Sequence, residues 1–85
     1  MKGVDKIYGT RSQYKELRSW CKQRRKAITE ICRHDPLDYF YDIDYQHSDI
    51  VVIADFPLSI DFYILQHCDM EWVQETIRYK NKTKR

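Results

Sequence analysis

The chain has 85 residues, 42 % hydrophobic and 33 % charged, with two Gly, two Pro and a formal net charge of +2. A chain of this length buries roughly 60–65 % of its unfolded surface, which allows one modest core in a single domain, residues 1–85, and excludes a deep enzyme cleft with its own lid. The composition is that of a folded domain and excludes a disordered chain or a long flexible linker.

The charge is sharply segregated along the chain. Residues 1–33 hold ten Lys and Arg against three acids. Residues 34–77 hold ten acids and no Lys or Arg, and the last eight residues add five bases. Such a map has two readings: internal compensation between a basic helix and an acidic segment, or a charged pole that meets a partner.

The first nine residues read as a lead-in, with a brief strand at Lys6-Ile7-Tyr8 that ends at Gly9. Lys2 and Lys6 stand there without an apolar stretch, so no signal peptide is expected. The longest apolar run, Ile50 to Ala54, is too short to span a bilayer. The three cysteines, Cys21, Cys32 and Cys68, cannot all pair, and reduced thiols in the cytoplasm are the expectation.

Thr10 followed by Gln13 is a capping-box signature. Behind it Tyr14, Leu17, Cys21, Ile28 and Ile31 recur at helical spacing, with Arg24 interrupting the stripe and snorkelling. The pattern predicts one long amphipathic helix of about 22 residues, about 33 Å, ended by Asp35-Pro36.

Tyr39, Tyr41, Ile43 and Tyr45 alternate with Phe40, Asp42 and Asp44, which suggests a strand; Leu37, Phe40 and Tyr41 could equally begin a short helix. Ile50 to Ala54 reads as a strand. If both are strands, Gln46-His47-Ser48 forms the hairpin loop. A helix then opens at Phe56-Pro57-Leu58-Ser59, with Ser59 or Asp55 as its N-cap. Cys68-Asp69 turns the chain, and Asp69 caps a last helix carrying Met70, Val73 and Ile77. Glu71 and Glu75 suit its N-terminal half, Arg78 and Lys80 its C-terminal end. Residues 81–85 form a frayed basic tail.

The expected fold is therefore α+β and mostly helical, with one long N-terminal helix, a C-terminal helical pair and a small two-stranded β segment between. The expected core is Leu17, Trp20, Ile28, Ile31, Val52, Ile64, Val73 and Ile77.

Two stretches carry a resemblance. One is Ile7-Tyr8-Gly9-Thr10 with Gln13-Tyr14 and Glu16 to Cys21; the other is Phe56-Pro57, Ile60-Asp61, Tyr63-Ile64-Leu65, His67-Cys68, Trp72-Val73 and Ile77-Arg78-Tyr79. Their order resembles short uncharacterised accessory proteins of tailed bacteriophages, over about half of the chain. Similar sequences often turn through Cys-Pro where this chain has Cys68-Asp69. The resemblance implies no activity and no catalytic residue. It implies a context, the cytoplasm of a bacterial host, where such proteins often bind a host protein.

No catalytic group, cofactor or metal is expected. Cys32-Arg33-His34 and His67-Cys68 lack the spacing of zinc ligand pairs, and no phosphate loop or nucleophile elbow is present. Residues 59–80 have the outline of a helix-turn-helix, but Glu71 and Glu75 would repel phosphates where the second helix must enter the groove. Two surfaces remain. Asp35, Asp38, Asp42, Asp44 and Asp49 interleave with Tyr39, Tyr41 and Tyr45, an acidic-aromatic surface suited to a protein partner. Lys15, Arg18, Lys22 and Arg25 share a helix face that suits nucleic acid, the alternative partner. Self-association of the two poles is a third reading, and no membrane partner is expected.

Overall fold

The computed structural model describes residues 6–44 and 49–82. In chain order the elements are β1 (Ile7–Gly9), α1 (Arg11–Gln23), α2 (Arg25–Cys32), a 3-10 helix (Pro36–Tyr39), β2 (Val51–Ala54), α3 (Leu58–His67) and α4 (Glu71–Lys82). The fold is α+β and mostly helical, with a two-stranded antiparallel sheet of order β1-β2.

The sheet is built differently from the expected hairpin. Ile7 pairs with Ala54, Tyr8 with Val52 and Gly9 with Val51, so the lead-in is the second strand. The stretch after Asp35 is drawn into the 3-10 helix instead. Pro36 occupies its first turn, and the Asp35 carboxylate accepts from Leu37 N at 3.0 Å. Among the described residues of this stretch only Phe40 then bridges β2, opposite Ala54, with Tyr41 N donating to Ile53 O at 2.9 Å and Asp55 N to Tyr39 O at 3.0 Å. Ala54 thus has a neighbour on each side, which gives β2 a partner along both edges. The proposed loop Gln46-His47-Ser48 lies outside the described residues.

The single long helix is in fact two. α1 opens on the anticipated capping box, with Gln13 N donating to Thr10 Oγ1 at 3.2 Å and Thr10 N to Gln13 Oε1 at 2.9 Å. At Arg24 the ladder breaks. Arg24 N turns to Cys21 O, and the Trp20 carbonyl that an unbroken helix would offer it is taken by the Arg24 side chain, Nη1 donating at 3.2 Å. The same guanidinium lies 4.4 Å from the centroid of the Trp20 ring, a cation–π contact. α2 restarts when Ile28 N donates to Arg24 O at 2.9 Å, and it ends on Arg33 in the left-handed conformation, φ 63°.

Leu17 and Cys21 are buried on α1, and Ile28 with Cys32 on α2, whereas Ile31 is 66 % exposed and leaves the expected core. Trp20 packs at its margin, half-buried, whereas Val52 is half-buried but leaves the packing to its neighbour Val51. Leu17, Ile28, Ile64, Val73 and Ile77 are fully buried as expected, joined by Ile7, Ile53 and Ile60.

Neither Ser59 nor Asp55 caps α3. Pro57 holds the N-cap position, and its carbonyl accepts from Ile60 N and Asp61 N. Ser59 Oγ reaches instead to Cys32 O, tying α3 to α2. α4 starts from the Met70 carbonyl, which accepts from Gln74 N at 3.2 Å. The turn before it is held by Met70 N on Cys68 Sγ and by the Gln74 side-chain amide on Cys68 O, in place of an Asp69 cap. Asn81 and Lys82 continue α4, so the expected tail does not begin at residue 81.

Candidate functional site

The 3-10 helix and the Phe40 bridge bring Asp38, Tyr39, Phe40 and Tyr41 beside Asp55, which follows β2 directly. These five residues line an open groove of about 330 Å³. Its floor is set by Phe40, whose ring lies edge-on to Phe56 at 5.3 Å and to Tyr14 at 5.8 Å. Asp38 and Tyr41 are exposed, and the chain continues outward through exposed Asp42 and Asp44 while Ile43 packs back onto the core.

The other acidic-aromatic residues are placed elsewhere. Asp35 faces away into a two-pronged ion pair with Arg25: Nε lies 3.0 Å and Nη2 2.5 Å from Oδ2. Hydrogen bonding from Arg25 holds the Asp35 carboxyl below its ordinary value, against an opposing push from burial and with help from Leu37 N. Tyr39 contributes its ring to the groove, but its hydroxyl is hydrogen-bonded to His34 Nδ1 at 2.9 Å. Asp49 is exposed beside Thr10, Arg11 and Ser12, in a separate concavity at the start of α1. Tyr45 lies outside the described residues. Asp55 was anticipated only as a helix cap; nothing in the local pattern shows that it faces Asp38.

The basic row is divided as well. Lys15, Arg18 and Lys22 line a groove of about 440 Å³ along α1, together with Tyr14, Ser19 and Gln23. Arg25 falls beyond the helix break and belongs to Asp35. Glu16 on α1 takes no part in this groove, because its carboxylate accepts from Trp72 Nε1 at 3.1 Å. Since Tyr14 of the basic groove touches Phe40 of the acidic one, the two grooves are neighbours.

All three thiols are buried. Burial, helped by the nearby Cys68, pushes the Cys21 thiol from its ordinary 9.0 up to about 12. Burial also raises Cys32 and Cys68. Cys32 Sγ contacts Ser59 O at 3.5 Å, and His34 engages Tyr39, so these two do not act as a pair. His67 stacks on Tyr63, ring centroids 4.3 Å apart. Among the described residues no three His, Cys, Asp or Glu gather as a metal site, and no helix is long and apolar enough to cross a membrane.

One polar centre escaped the sequence pattern. Lys80, read from the sequence as a base suited to the C-terminal end of α4, is fully buried with Asp61 of α3. Its ammonium donates to Phe56 O at 3.0 Å and lies 3.7 Å from Asp55 Oδ1. The groove carboxylate Asp55 thus lies within ion-pair distance of a buried ammonium. Comparison with known protein families, with curated proteins and with solved structures finds no match for this chain.

Proposed function

We propose that this chain is a non-enzymatic accessory protein of the tailed-bacteriophage kind its sequence resembles. It acts in the cytoplasm of the bacterial host by binding a host protein. The contact surface is the groove of Asp38, Tyr39, Tyr41 and Asp55 with the adjoining Asp42 and Asp44; Asp35 serves as a support, locked to Arg25.

The observation that carries this reading is the groove's make-up: two carboxylates and three aromatic rings, with no Lys or Arg among its described lining residues. Tyr and Phe supply contact area at small entropic cost. Spaced carboxylates speed encounter with a basic surface and reject an acidic one. The partner's chemistry is therefore a basic patch with an apolar centre, of the sort found on proteins that handle nucleic acid.

The test is retention of a host protein from bacterial lysate, with nuclease present, by the native chain and by the Asp38→Lys/Asp42→Lys/Asp44→Lys variant. All three positions are exposed, so the variant keeps its helical circular dichroism. One protein held by the native chain and lost by the variant is the expected result. Equal retention by both would place the contact elsewhere.

A further inference from the structure

We infer that the α1 groove is a second binding site, for the phosphodiester backbone of a nucleic acid strand, and that it acts independently of the acidic groove. Its cations form a row rather than a cluster. Lys15, Arg18 and Lys22 advance by three and four residues along one helix face, over about 10 Å of axis. A row of evenly spaced cations fits a ligand whose charges are themselves in a row. Ser19 lies between Arg18 and Lys22 and Gln23 just beyond Lys22, hydrogen-bonded to each other at 3.3 Å in the same groove, and both side-chain types commonly bond phosphate oxygens.

Three further facts leave this row available. Glu16 is turned to Trp72, so α1 does not neutralise its own basic face. Arg25 is removed by Asp35, which sets the number of groove cations at three rather than the four the sequence suggests. Half-buried Arg18 keeps a buried Nε without a hydrogen-bond partner, so no internal carboxylate holds that edge of the guanidinium. The acidic groove borders the row across the Tyr14–Phe40 contact and repels phosphate there, which confines a strand to the line of α1.

The experiment is fluorescence anisotropy of the full chain with a labelled single-stranded oligonucleotide and, separately, a labelled duplex of the same length. Three backbone contacts predict a slope of log K on log salt of about −2 for a single strand and about −3 for a duplex. Affinity should then fall about 20- to 40-fold between 50 and 200 mM salt. Lys15→Gln and Lys22→Gln should each weaken binding and make the slope shallower by just under one. Lys26→Gln removes an equal charge from an exposed site on α2 outside the groove and should change neither. Tighter binding of one probe identifies the form of strand the groove takes. Absence of binding to both probes at 50 mM salt would overturn the proposal, as would a loss in Lys26→Gln equal to that in Lys15→Gln.

Discussion

Lys80 Nζ lies 3.0 Å from Asp61 Oδ2, and neither side chain reaches solvent. The pair joins the last helix to the first turn of α3, and through the Phe56 carbonyl it also holds the link between β2 and α3. Two opposite charges in a core add little net stability over a well-packed apolar pair, but removing one strands the other. Lys80→Met should therefore cost about 3–5 kcal/mol, a large share of the stability of so small a domain. Lys80→Met combined with Asp61→Leu should recover much of that loss. Urea denaturation of Lys80→Met, Asp61→Leu and the double variant checks this, and a double variant as unstable as the sum of the singles would contradict it.

The Arg25–Asp35 pair sits at the surface, and its main consequence is a pH dependence. Arg25 hydrogen-bonds the Asp35 carboxylate and lowers its pKa in the folded state. A carboxyl depressed on folding contributes stability above its unfolded pKa, and that stability is lost as pH falls through the folded value. Arg25→Gln should raise the Asp35 pKa towards the ordinary carboxylate range. The native chain and the variant should differ in stability at neutral pH and converge at strongly acidic pH. Carbon-detected NMR titration of Asp35 reads the shift directly.

The pair also shows what the sequence could and could not reveal. The charge map was legible because it is a property of composition, and the capping box because Thr10 and Gln13 meet within one turn. The strand at 51–54 was legible from its β-branched run, but its partner was not, since alternation at 39–45 competes equally well with the short Ile7–Gly9 segment. Burial of Ile7 decides it, and burial is a tertiary fact. The helix break was hidden because Arg24's own side chain replaces the lost backbone bond to Trp20. Of the candidate surfaces, Asp38, Tyr39 and Tyr41 did assemble, as did Lys15, Arg18 and Lys22. Asp35 and Arg25 were each assigned to a binding surface, and they bind one another. Lys80 and Asp61 are 19 residues apart on different helices, beyond any periodic signal.

Cys21 gives the chain an alkaline limit. Its thiol is raised from 9.0 to about 12 by burial. Between these values the unfolded chain releases a proton that the folded chain keeps, so stability falls as pH rises, by about 1.4 kcal/mol per pH unit for this one group. Below pH 9 the contribution is fully present. Cys21→Ala should lose some packing at neutral pH yet show a shallower decline between pH 9 and 11. Thermal denaturation across that range compares the two slopes, and parallel curves would exclude Cys21 as the cause. At pH 8 the native thiol should also resist iodoacetamide, because burial keeps it protonated and out of reach.

Arg33 ends α2 in the left-handed conformation, φ 63°, with its N–H donating to Thr29 O at 2.9 Å. A side chain at this backbone angle brings Cβ close to the carbonyl, a strain of roughly 1–2 kcal/mol that Gly escapes. Gly also gains more freedom in the unfolded chain, which offsets part of the relief. Arg33 is exposed and lines neither groove, so the balance rests on the backbone alone. Arg33→Gly should stabilise the chain by about 0.5–1 kcal/mol, whereas Arg33→Ala, which keeps Cβ, should bring no such gain. Matched urea titrations separate the two. A Gly variant no more stable than the Ala variant would mean that the turn from α2 into the 3-10 helix, and with it the placement of Asp35 and Asp38, does not depend on this strained residue.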